Sequence, residues 1–75
     1  MQAMRLHVAQ EADALYLRLD DSKIVESEEV SPGIVLDFNA DNQVVGVEFL
    51  HLSRRTPSVE TEKLVFETVP SVAAR

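Results

Sequence analysis

The stretch Glu11-Ala12-Asp13-Ala14-Leu15-Tyr16-Leu17-Arg18-Leu19 decides how this chain folds. Leu15, Leu17 and Leu19 alternate with Ala14, Tyr16 and Arg18, the period of two that sends successive side chains to opposite faces of a sheet. One face is aliphatic and the other mixed. Upstream, Leu6 and Val8 alternate with Arg5, His7 and Ala9, so residues 10–13 must reverse the chain and make a hairpin. Asp13 is expected to end that turn, since an Asx carboxylate accepts a hydrogen bond from a backbone N–H two residues on.

Working outward, residues 20–23 form a polar turn cluster and residues 24–30 read as a third strand. Its alternation sets Ile24, Glu26, Glu28 and Val30 against Val25, Ser27 and Glu29, so neither face is cleanly apolar. An edge position explains this, because charges on an edge strand discourage pairing with foreign strands. Ser31-Pro32-Gly33 follows as a turn in which Pro presets the second position and Gly supplies the positive φ of the third.

Residues 34–38 give a fourth strand, with Ile34, Leu36 and Phe38 opposite in sense to Val35 and Asp37. After a loop of turn formers at 39–43, residues 44–50 return as a fifth strand, with Val45, Val47 and Phe49 assigned to one face. Gly46 inside that strand marks a bulge or a close backbone approach. Thr56-Pro57 is a candidate helix start, Thr as N-cap and Pro at the first helical position. Residues 63–69 read as a sixth strand ended by Pro70, and residues 71–75 as a frayed tail. The expectation is a mainly β fold (or α+β): a single antiparallel meander sheet of five to six strands in one domain, residues 1–70, with at most one short C-terminal helix.

Composition narrows the functional classes. A chain of 75 residues buries only about 60 % of its unfolded surface and is marginally stable unless something is added. No cysteine is present, so disulfides and thiolate metal sites are excluded, and two histidines, His7 and His51, are too few for a structural zinc site without carboxylates. No cofactor is implied. A net charge of −6 argues against a nucleic-acid partner, whose phosphates attract Lys and Arg stripes. There is no signal pattern and no apolar run of membrane-spanning length, so a cytoplasmic location with no membrane association is the default expectation. One sheet with one apolar face must have that face covered. Two chains stacking Leu15, Leu17, Ile34, Leu36, Val47 and Phe49 would do so, as an isologous homodimer.

The residues that carry the alternation also carry a resemblance. Residues 11–19 quoted above, Val25-Glu26-Ser27-Glu28-Glu29-Val30, Gly33-Ile34-Val35-Leu36-Asp37 and Val45-Gly46-Val47-Glu48-Phe49-Leu50 together resemble a small bacterial family catalogued as domain of unknown function 2283. The resemblance covers roughly the first fifty residues. This chain departs from the family's pattern at Ala9-Gln10, where Tyr-Asp is usual, and at Asp41-Asn42, where an acidic residue and Gly are usual. It implies a compact β-rich fold with no assigned activity and no catalytic residues to carry across. Members encoded beside small toxin-like proteins imply an antitoxin-like role, neutralising a basic small protein.

Three constellations remain as candidate chemistry. Asp37, Asn39, Asp41 and Glu48 stand at calcium-loop offsets, but Asn42 replaces the turn glycine and the flanks have strand periodicity, so a hairpin turn is the stronger reading. His7, Tyr16, Asp37 and Glu48, with Arg18, share the less apolar face and offer an alternative polar site for a small molecule or ion, enzymatic if His7 pairs with a carboxylate. The acidic run Glu26, Glu28 and Glu29 on an edge strand, with the apolar face of Leu15, Leu17, Leu36 and Phe49, suits protein interaction, including strand addition by a basic partner. A non-catalytic interaction module is the favoured reading. Arg54-Arg55 reads as a surface turn.

Overall fold

The computed structural model describes residues 3–55 and 63–70. Among these residues five strands are present: β1 (Arg5–Ala9), β2 (Ala14–Arg18), β3 (Glu26–Ser31), β4 (Ile34–Phe38) and β5 (Val44–Phe49), followed by a single-turn helix, α1 (Leu52–Arg55). All pairings are antiparallel within one sheet. The expected mainly β, meander-like architecture is therefore what forms.

Strand order is β1-β2-β5-β4-β3. The meander runs through β3, β4 and β5, and the β1-β2 hairpin joins its far side through β2 and β5. The last strand in sequence thus lies at the centre, and the connection at 19–25 crosses the end of the sheet. Hydrogen bonds fasten that crossing: the Leu19 amide donates to the Val45 carbonyl at 2.8 Å and the Val25 amide to the Phe38 carbonyl at 2.8 Å. Arg18 Nε donates to the Asp20 carbonyl at 2.6 Å, and the same guanidinium donates to the Ser22 carbonyl. Strand β3 begins at Glu26, two residues later than alternation suggests, because Ile24 and Val25 belong to this crossing.

Turn chemistry behaves largely as the residues dictate. Gly33 takes φ +78° after Pro32, as the third position of such a turn requires. Asn42 adopts φ +61°, which Asn tolerates because its short polar side chain bonds locally. The preceding loop is held by Asn39, whose Oδ1 accepts from the Asp41 and Gln43 amides, each at 3.0 Å.

Two expectations need correction. Asp13 sits at φ +54° in the β1-β2 turn, but its carboxylate does not bond two residues on. It accepts from the Ser53 amide at 3.1 Å and the Ser53 hydroxyl at 2.7 Å, capping α1 from forty residues away, and its carbonyl accepts from the Leu52 amide. The long-range partner wins because it satisfies orphan helix N–H groups that otherwise have none. The short helix that is described covers Leu52–Arg55; the expected helix start at Thr56-Pro57 and the tail at 71–75 lie outside the described residues. Residues 63–70 are exposed and form no strand. The bulge expected at Gly46 is present in β5: Asp37 faces Gly46, but Phe38 faces Val44. Val45 is the extra residue of this bulge and is fully buried, so Val44 rather than Val45 is registered with Phe38.

Candidate functional site

Directly opposed residues share a face of the sheet. The register puts Leu6 beside Leu17, Val8 beside Leu15, Leu15 and Ile34 beside Phe49, and Leu17 and Leu36 beside Val47. All six residues expected to form the apolar face are on one side, with Leu6 and Val8 extending it. None of the eight is buried. Among the described residues the only buried hydrophobic side chains are Ala14 and Val45. Leu6 is exposed and the other seven are half-buried, so the aliphatic alternation that specifies the sheet leads to a partly covered surface.

Glu26 pairs with Phe38 and Glu28 with Leu36, at the β3 edge of this same surface. Glu29 pairs with Val35 on the other face, and its Oε2 lies 3.4 Å from the Gly33 amide. The acidic run is thus divided between the faces: two carboxylates rim the apolar surface and the third supports a turn. Strand alternation made this division legible in the sequence.

The opposite face carries a polar network. Asp37 is 9 % exposed; its Oδ2 accepts from the Tyr16 hydroxyl at 2.7 Å and its Oδ1 from the Ser27 hydroxyl at 2.5 Å. Tyr16 is on β2 and Asp37 on β4, with β5 between them. They meet because β5 presents Gly46 at the crossing. A Cβ there would stand 2.5 Å from the Tyr16 hydroxyl and 2.8 Å from Asp37 Oδ2, closer than real side chains approach. Partial burial, together with the bond to Asp37, raises the Tyr16 phenol above its ordinary pKa of 10.0, since both disfavour the phenolate. Ser27, which the sequence reading had not placed in this site, is its third member. Its signal was its position on the same face as Glu29 in a strand antiparallel to β4.

The remaining candidate residues are placed less favourably for chemistry. His7 is exposed on β1 opposite Tyr16, whose hydroxyl turns to Asp37 instead. Glu48 is half-buried, between Tyr16 and Val35 in register. Asn39 uses its side chain on its own loop, Asp37 is engaged by Tyr16 and Ser27, and Asp41 is exposed. Among the described residues no three His, Asp or Glu side chains converge as ion ligands. No helix among them is long and apolar enough to cross a membrane.

No buried polar side-chain atom among the described residues lacks a hydrogen-bond partner. Unmet demand is on the apolar side. The family model described as protein of unknown function (DUF2283) matches residues 9–53, more than half of the chain. The chain belongs to that family. No curated protein and no solved structure matches it.

Proposed function

We propose that this member of the DUF2283 family is a non-catalytic protein-interaction module that assembles as a homodimer through its apolar sheet face. The observation that carries the reading is the gathering of Leu6, Val8, Leu15, Leu17, Ile34, Leu36, Val47 and Phe49 on one face, Leu6 exposed and the other seven half-buried. A contiguous apolar surface of this kind needs a partner. A second copy fits because the face is apolar across its centre and is charged only at the β3 rim, so it is self-complementary about a twofold axis.

Light scattering across a dilution series tests this. The expected result is twice the chain mass down to micromolar concentration; a monomer throughout would overturn the reading. The acidic edge stays available beside the closed face, and there a basic segment would add to β3, the neutralising role that antitoxin-like proteins perform. A synthetic extended peptide of alternating lysine and valine should shift the amide resonances of Glu26–Ser31 and lose its effect when Glu26, Glu28 and Glu29 are changed to Lys. Equal shifts in both proteins would remove the edge from the proposal.

A further inference from the structure

The two edges of the sheet are not alike. β3 carries three glutamates and a bulge between Glu29 and Ser31, both devices that discourage strand addition. β1 carries neither: its residues Arg5, Leu6, His7, Val8 and Ala9 hold no carboxylate and no proline, and they stay in unbroken register with β2. Among the described residues no strand pairs with its outer side. Two bonds at the centre of the sheet decide which backbone groups point outward there. The Leu19 amide donates to the Val45 carbonyl at 2.8 Å, and the Leu50 amide donates to the Gly33 carbonyl at 2.7 Å; each joins residues directly opposed when the register is continued by one place. Backbone groups alternate sides along a strand, so β2 addresses β5 through Leu15 and Leu17 and addresses β1 through Ala14, Tyr16 and Arg18. On β1 the inward groups are then those of Arg5, His7 and Ala9, and the outward groups are those of Leu6 and Val8.

We propose that β1 pairs antiparallel with β1 of a second copy, about a twofold axis through His7, and so joins two five-stranded sheets edge to edge. This contact is distinct from the face-to-face homodimer and stands without it. Hydrogen-bond phase selects the register, because outward residues must oppose outward residues. Setting Leu6 against Val8 of the copy, and Val8 against Leu6, meets that condition and is the arrangement in which every residue of the strand Arg5–Ala9 has an opposite number. His7 then meets His7 of the copy as the closer, non-hydrogen-bonded kind of pair. Directly opposed residues share a face, so Leu6 and Val8 of both copies lie together and the apolar face runs on from one sheet into the next.

Charge and closure both favour a second copy at this edge. Each chain carries a net charge of −6, and β3 paired with itself would gather the glutamates of two copies, which like-charge repulsion opposes. β1 brings no carboxylate to the contact. Pairing through β1 also uses up the receptive edge of each copy and leaves the guarded β3 edges outermost, so the assembly closes at two sheets instead of running on as a filament. A strand of five residues buries less than the roughly 800 Å² that each partner of a stable complex contributes. Edge pairing is therefore the weaker association and is populated at concentrations well above those that hold the face-to-face dimer.

The absence of native cysteine makes the test direct. His7→Cys places one thiol per chain on the twofold axis, in the kind of pair that a disulfide can bridge. Ala9→Cys is the control: it is on the same strand, on the same side and equally exposed, but the register holds it about 14 Å along the strand from its counterpart. Both variants are oxidised in a glutathione buffer at high protein concentration, and the two-chain product is followed on a non-reducing denaturing gel. His7→Cys should crosslink about tenfold faster than Ala9→Cys or more, as a bond confined to short Cα separations requires. Equal rates, or no two-chain product from His7→Cys, would overturn the edge pairing. The homodimer reading is scored separately, by the mass of the unsubstituted protein, because His7 lies on the face opposite the apolar one and its crosslink does not report on that contact.

Discussion

The two faces of this sheet solve the same problem in opposite ways. On the polar face, burial creates a demand for hydrogen bonds, and the chain meets it internally: Tyr16, Asp37 and Ser27 satisfy one another over Gly46. On the apolar face, alternation creates a demand for burial that the described residues of one chain do not meet. Hydrogen bonds are short and directional, so a few well-placed groups complete them, whereas hydrophobic stabilisation scales with area and needs a second surface. Among the described residues no second layer covers the apolar side, which is why the proposed interface is placed there.

Breaking the apolar side should have the largest effect. Leu17→Asp removes a leucine from the middle of the proposed interface in both copies at once. With about 1.5–3 kcal/mol for each buried leucine, the dimer dissociation constant should rise by a factor of 100 or more, as sedimentation or light scattering would register. The fold of each chain, followed by far-UV circular dichroism, should be retained. An unchanged dissociation constant would mean that the face is not the interface.

On the polar side, Gly46→Ala should be the most damaging single methyl. The added Cβ must displace the Tyr16 hydroxyl or the Asp37 carboxylate, so overpacking is added to the loss of a buried hydrogen bond. About 3 kcal/mol is expected, or a melting temperature lower by ten degrees or more for a domain of this length. If the destabilisation were the same in a Tyr16→Phe background, the clash would not be acting through the hydroxyl.

A smaller change separates the two faces from the sheet's end. Asp13→Ala removes the cap on α1 and should cost about 1 kcal/mol, with exchange of the Ser53 amide accelerated while the β2-β5 amides are unaffected. Uniform acceleration would show that α1 is integral to the sheet instead of docked on it.

The smallest effect is one of pH. Because the Tyr16 phenol is raised above 10.0 in the folded protein, the folded state holds its proton more tightly than the unfolded one. The resulting stabilisation is fully present below pH 10 and is lost as pH rises through the folded value. Stability measured by denaturation between pH 9 and 11 should therefore decline more steeply for the native protein than for Tyr16→Phe; parallel curves would contradict the raised phenol.

Much of this molecule is written locally. The alternation of Leu15, Leu17 and Leu19 with Tyr16 and Arg18, the Pro32-Gly33 turn and the loop at Asn39 set strand positions, because side-chain direction and turn φ are properties of adjacent residues. The bounds of β4, Ile34–Phe38, follow from such signals without correction. The apolar face was legible for the same reason, and so was the suspicion that Gly46 marks a bulge or a close approach, which turned out to be both.

What the tertiary structure alone decided was which strand stands beside which, and which distant groups meet. Nothing in residues 44–49 announces that β5 enters between β2 and β4, yet that insertion brings the Tyr16 hydroxyl to Asp37 across Gly46. Asp13 likewise looked like a turn residue and proved to cap a helix forty positions on. Local sequence fixes torsion angles and the face each side chain takes. Partners far apart in the chain are selected by burial and hydrogen bonding that exist only once the sheet has closed.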